Sequence, residues 1–271
     1  MTGPDSSPDL MPVLFIGHGS PMNMVLENNF TRHLRALGSS LPRPEAVMVV
    51  SAHWLTRGTR VSCAAEPDII YDFYGFPEAL YQIRYPCSGA PAYARDLVQS
   101  PALEAIIRCD ETRGLDHASY AILLHMFPKA DIPVFELSLD YSFNDWRPKT
   151  VQYHYDLARK LHFLRRKGVL IIGSGNIVHN LDLIDADMEA DPYGWAVSVD
   201  AKIQSCLLKQ DHESLIRYES MGKDASLAVP TLDHYLPMIY AIALQDSGDD
   251  LRFTYEGFQH GSISMRCFQI G

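Results

Sequence analysis

Three short apolar runs, Val13–Ile16, Ala46–Val50 and Gly168–Ile172, place the strongest constraint on how this chain can fold. None carries a polar residue that could face water, which is the pattern of a strand buried on both faces of a sheet. Each run leads into small residues and then a histidine: Gly17-His18-Gly19, Ser51-Ala52-His53, and Gly173-Ser174-Gly175-Asn176-Ile177-Val178-His179. Strands covered on both faces belong to parallel sheets, whose strand ends share one edge, and ligands of open α/β sheets bind outside the carboxyl edge. Gly17 and Gly19 let the backbone turn sharply around His18, leaving its imidazole at the mouth of a crevice.

The rest of the chain supplies the crossovers such a sheet needs. Hydrophobic periodicity predicts helices over 30–37, 91–99, 118–127, 147–167, 195–208, 211–218 and 235–244. Further strands are expected over 61–64, 133–139, 251–255 and 262–268. His154 and His162 fall on the helix over 147–167 as solvent-facing or packing residues. The alternation predicts one α/β domain over 11–271, preceded by a polar tail over 1–10 that is expected to fray. The tail lacks the basic start and apolar core of a signal peptide, and no run is long enough to span a bilayer. A net charge of −10 argues against nucleic acid or an anionic membrane as partner, since both require a basic face. Five widely spaced cysteines with no Cys-x-x-Cys argue against a zinc ribbon or a disulfide framework, and for a reducing, cytoplasmic setting.

The glycines after the third run do not form a dinucleotide fingerprint, because its last glycine position holds Val178. The histidines carry the chemistry instead. His18, His53 and His179 each follow a buried run, and His234 opens a late helix, so three or four imidazoles converge on one edge. Neutral imidazoles gathered there suit a metal such as iron, zinc, copper or nickel. His117 precedes an apolar helix, whose amino-terminal partial charge disfavours an imidazolium. The stretch Ile69–Pro77 is dense in aromatics that read as packing. Tyr71, Asp72 and Tyr74 in it carry polar ends and are candidates for a pocket wall gripping a polar aromatic ligand.

Six blocks in order then resemble one family: Gly17-His18-Gly19-Ser20-Pro21-Met22-Asn23, Ser51-Ala52-His53-Trp54, Tyr71-Asp72-Phe73-Tyr74-Gly75-Phe76-Pro77, Leu115-Asp116-His117, Gly175-Asn176-Ile177-Val178-His179-Asn180 and Asp233-His234-Tyr235-Leu236-Pro237. Gly261-Ser262-Ile263-Ser264-Met265 closes the match. The chain resembles the LigB-like (class III) extradiol ring-cleavage dioxygenases, in the branch named for 4,5-DOPA extradiol dioxygenase. The resemblance implies a three-layer α/β sandwich around a mainly parallel mixed sheet, with one non-haem metal at the strand ends. His18 and His53 match two histidine ligands, His234 falls where related enzymes use a glutamate, and His179 matches a fourth ligand or a general base. His117 is implied to hydrogen-bond bound oxygen or a substrate hydroxyl, and Tyr71, Asp72 and Tyr74 to meet the substrate's side chain.

A catecholic substrate, O₂ and Fe(II) are expected for activity, while Zn(II) also suits an all-histidine set. Asp233 is the nearest carboxylate, with helix capping its plainer role. A monomer or small homo-oligomer is expected. The rival readings are a zinc-dependent hydrolase with the same ligands, a tetrapyrrole metal chelatase, which also opens with His-Gly-Ser, and a binding module without catalysis.

Overall fold

Residues along the three apolar runs alternate between two cores. A computed structural model describes residues 10–142 and 147–271, so the tail expected over 1–10 lies outside the described residues apart from Leu10. Val13 and Phe15 of β1 (Val13–Gly17) join one cluster, while Leu14 and Ile16 join the other. In β2 (Ala46–Thr56) the split is Met48 and Val50 against Val47 and Val49. This is the two-residue period of a strand covered on both sides.

β3 (Thr59–Ser62), β4 (Ile107–Asp110), β5 (Val134–Asp140), β6 (Val169–Gly175) and β7 (Leu251–Tyr255) follow. β8 (Phe258–Gln259) and β9 (Ile263–Ser264) form a small two-stranded ribbon, and β10 (Cys267–Ile270) returns to the main sheet. The eight-stranded sheet has the order β4-β3-β5-β2-β6-β1-β10-β7. Its centre, β5-β2-β6-β1, is parallel. β3 runs antiparallel to β5, as β10 does to β1 and β7 to β10. The α/β class and the mainly parallel mixed sheet are as expected.

Nine α-helices among the described residues cover the faces: α1 (Asn29–Ser40), α2 (Pro91–Gln99), α3 (His117–Met126), α4 (Arg147–Arg159), α5 (Phe163–Arg166), α6 (Gly194–Leu208), α7 (His212–Ile216), α8 (Ala225–Ala228) and α9 (Leu236–Ala243). α1 and α3 bury their apolar sides with Leu14, Val47 and Leu170. Residues of α2, α4, α6 and α9 pack on the opposite face, and every residue of α9 is buried. The result is three layers. None of these helices is long and apolar enough to cross a membrane.

Three local expectations differ. The helix over 147–167 breaks after Arg159; beyond the break the buried Arg165 donates to Met11 O, Leu244 O and the Asp249 carboxylate. The strand over 262–268 divides into β9 and β10. Cys63 and Cys109 form a disulfide, because β3 and β4 pair in parallel with Val61 opposite Cys109 and bring the two Cα atoms to 5.8 Å. Cys87, Cys206 and Cys267 are free.

His154 is fully buried on α4, facing Tyr240 Oη at 2.8 Å and the Asp140 carbonyl at 3.2 Å. Burial pulls its pKa down to about 4. The folded state therefore resists a proton that the unfolded chain accepts near 6.5, so this stability is complete above about pH 6.5 and is lost as pH falls towards 4. Between pH 7 and pH 4 the wild type should lose about 3 kcal/mol more than His154→Phe. Urea unfolding at the two pH values checks this; equal losses would contradict it.

Candidate metal centre

Local backbone features deliver each histidine to the carboxyl edge. His18 follows β1, and its N–H donates to Gly175 O at 3.1 Å. The next residue, Gly19, has φ +63°, and a Cβ there would run into Met265 and Gln259. His53 stands inside β2 where the ladder to β5 slips: Val50 pairs with Leu137 and Leu55 with Leu139, so Ser51–Trp54 oppose only Ser138. Such bulges re-aim side chains next to sites. The glycines after the third apolar run serve close approach. A Cβ on Gly175 would strike the His234 carbonyl and one on Gly173 the Pro237 backbone, and Asn176 N–H donates to His234 O at 2.9 Å. His179 is held by its N–H on Ala228 O at 2.8 Å.

The rings gather closely. The His18 ring centre lies 5.3 Å from those of His53 and His234, which are 5.0 Å from each other. His117 comes to 4.2 Å from His53 and 5.7 Å from His18. His179 lies flat on His234, with centres 3.5 Å apart and planes within 6°. Ligand nitrogens of His18, His53 and His117 all fall within 4.8 Å of one another.

Each inner ring has its Nδ1 committed. Ser174 Oγ donates to the Ala118 carbonyl at 2.6 Å, so its lone pair receives Nδ1–H of His18 at 3.0 Å. Asp72 Oδ2 takes His53 Nδ1 at 3.0 Å, and Asp72 Oδ1 takes His117 Nδ1 at 2.9 Å. Asp233 takes Nδ1 of His234. With carboxylates and a committed hydroxyl as acceptors, these four rings are Nδ1–H tautomers whose Nε2 carries the free lone pair.

Burial, reinforced by the neighbouring imidazoles, holds His18 and His179 well below the ordinary histidine pKa. Burial likewise lowers His117 and His234. For His53 burial is outweighed by the hydrogen bond to Asp72 and the charges of Asp116 and Asp72, and its pKa rises. Hydrogen bonds from His117 and His53 keep Asp72 ionised well below the usual carboxylate range, against the effect of burial.

These residues fit a metal ion. His53 Nε2 is buried with no hydrogen-bond partner, a costly state that an ion relieves. A metal bound at about 2 Å to ring nitrogens sits about 3.2 Å from each ring centre, so tetrahedral imidazoles have centres about 5.2 Å apart. The triangle of His18, His53 and His234 has that size. His117, with its ring centre 4.2 Å from that of His53, stands nearer to it than two ligands of a tetrahedral ion do. An imidazole lone pair lies in the ring plane, so an ion shared by the stacked His179 and His234 would lie far out of at least one of them.

Tyr71 donates its hydroxyl to Ile83 O at 2.7 Å and lines a cavity of about 750 Å³ with Glu66, Asp68, Arg84 and Cys87, away from the histidines. Tyr74 is 91% exposed. Asp72, read as a substrate contact, has both oxygens engaged by histidines. Asp233 grips His234 and does not cap a helix, since α9 begins at Leu236. The sequence reading missed Ser174, although it stands between the two glycines that admit the His234 segment.

The pattern of the catalytic LigB subunit of aromatic ring-opening dioxygenase matches residues 13–263. The chain belongs to the LigB family. Among its LigB relatives, 4,5-DOPA dioxygenase extradiol of Escherichia coli K12 is 41% identical over 264 residues, covering 96% of this chain and 95% of the relative. The 4,5-DOPA dioxygenase extradiol of Beta vulgaris is 31% identical over 98% of both chains. The crystal structure of an uncharacterized protein from Escherichia coli K12 superposes with a TM-score of 0.82 at 37% identity, covering 96% of this chain and all of that one. This LigB chain is therefore a metal-dependent extradiol dioxygenase that opens aromatic rings, and the hydrolase and chelatase readings are not favoured.

Removing the acceptor of a ligand's second nitrogen typically costs 10–100-fold in metal affinity. Ser174→Ala should weaken Zn(II) binding by about 10-fold in a chelator competition at pH 7.5, with the fold retained. Unchanged affinity would contradict the role given to Ser174.

Proposed function

We propose that the enzyme cleaves a DOPA-like or other catecholic substrate in extradiol fashion with O₂, and that His18, His53 and His234 hold Fe(II) for this purpose. The observation that carries the assignment is the near-equilateral triangle of ring centres, 5.3, 5.3 and 5.0 Å. When bound, the metal acidifies a catechol hydroxyl and relays electrons from the ring to O₂, which redox-silent zinc does not do. Zn(II) on the same imidazoles gives an inactive form.

The chain's own groups then handle protons. His179, set beside the triangle and kept neutral by burial, takes the proton of the second hydroxyl and later returns it as an acid. His117 keeps its Nδ1–H on Asp72, so its Nε2 accepts a hydrogen bond from the substrate hydroxyl. Tyr74, exposed on the loop following Asp72, is the proposed contact to the substrate's side chain, whereas Tyr71, expected to share that role, has its hydroxyl on Ile83 O. The region 11–271 acts as one catalytic unit, as a monomer or small homo-oligomer. Its charge of −10 supports a role without nucleic acid or membrane.

Protein reconstituted anaerobically with Fe(II) should consume O₂ when given catechols, and zinc-loaded protein should not. His179→Ala should lower kcat by at least about 100-fold while retaining its iron. Ester hydrolysis without O₂ uptake would overturn the reaction, and unchanged turnover in the variant would remove the base.

A further inference from the structure

The loop carrying Asp72 is fastened before its carboxylate does anything. Ile70 N–H donates to Leu115 O and Leu115 N–H to Asp68 O, both at 2.8 Å, which ties the loop to the segment entering α3. Phe73 is buried, its ring perpendicular to that of His117 with the centres 5.5 Å apart, and it leans on Phe76 and Tyr81. Between these anchors Asp72 divides its oxygens, Oδ2 to His53 Nδ1 at 3.0 Å and Oδ1 to His117 Nδ1 at 2.9 Å. Oδ1 also accepts the His117 backbone N–H at 3.0 Å, the first unpaired donor of α3.

We infer that Asp72 is a positioning residue, not a substrate contact: one carboxylate fixes the tautomer and orientation of the ligand His53 and of the substrate-facing His117 together. This rests on the proposed ligation by His53. A planar carboxylate offers an acceptor to each ring, so neither imidazole can turn over without losing a charge-assisted bond. His53 must present Nε2 to the ion, and His117 must present Nε2 to the substrate; the shared acceptor imposes both. A neutral amide of the same shape cannot, because it offers one oxygen and one N–H₂ donor. One of the two rings would then face a donor and move its proton to Nε2, where it can neither ligate nor accept.

Imidazole ¹⁵N NMR of the metal-free protein tests this without catalysis. In wild type, at an alkaline pH where the raised His53 pKa leaves its ring neutral, His53 and His117 should both be Nδ1–H tautomers. In Asp72→Asn one of them should switch to Nε2–H, and Zn(II) affinity should fall 10–100-fold in a chelator competition. On the iron-loaded enzyme kcat should drop with little change in KM for the catechol. Asp72→Ala, which offers neither ring an acceptor, should bind Zn(II) at least as weakly; should it fail to fold for want of the bond to α3, the isosteric amide variant still decides. Unchanged tautomers with unchanged zinc affinity would overturn the inference, as would a rise in KM alone. A chain whose zinc affinity depends on Asp72 but which consumes no O₂ would refute the proposed reaction and leave this role standing.

Discussion

An imidazole is a dependable ligand at one nitrogen only when the other is committed as a donor. The site at the carboxyl edge depends on that constraint. Burial keeps His18, His117, His179 and His234 from charging, so the cluster is held by hydrogen bonds to neutral rings and not by mutual repulsion being screened. Ser174, Asp72 and Asp233 supply the acceptors, and the Ala118 carbonyl in turn settles which way Ser174 points. Asp72 and Asp233 also place negative charge one hydrogen bond away from the rings. The proposed all-histidine set would thereby gain part of what a directly bound carboxylate provides.

Around the rings a buried network fastens the two segments that carry His53 and His117. Ser51 Oγ donates to Asp116 at 2.7 Å and accepts the His53 N–H at 3.0 Å. Arg113 bridges Asp116 and Glu136, and its guanidinium lies over Trp54 at 4.8 Å. Glu136 is completely buried and accepts the Asp116 N–H at 2.9 Å and the Ser119 hydroxyl at 2.5 Å. Burial and the Asp116 charge push its pKa well above the ordinary value. Buried ionic groups of this kind add little net stability, and their use is to specify one arrangement of the elements they join. Here they join β2 to the start of α3.

What was legible in the sequence was local. Val13–Ile16 and Ala46–Val50 read as doubly buried strands because their composition leaves no other face, and Gly17-His18-Gly19 read as a strand-end turn for the same reason. The family blocks extended that reading to the three layers. Long-range pairing stayed out of reach. Nothing around Asp72 announces that its carboxylate meets rings 19 and 45 positions away, so a polar residue in an aromatic stretch read as a substrate contact. The slip that aims His53 exists only in the register between β2 and β5. The Cys63–Cys109 bond likewise follows from β3 lying beside β4, a four-residue edge strand too short to show a period. For His154, open between a solvent-facing and a packing role, the contact that decides for packing is with Tyr240 on α9, far along the chain.

The most direct measurement is X-ray absorption fine structure on protein loaded with one equivalent of Fe(II). Outer-shell scattering from three imidazoles around the ion is predicted, with light-atom donors completing the shell. A spectrum fitted by a single imidazole, or by oxygen donors alone, would contradict a site built from His18, His53 and His234.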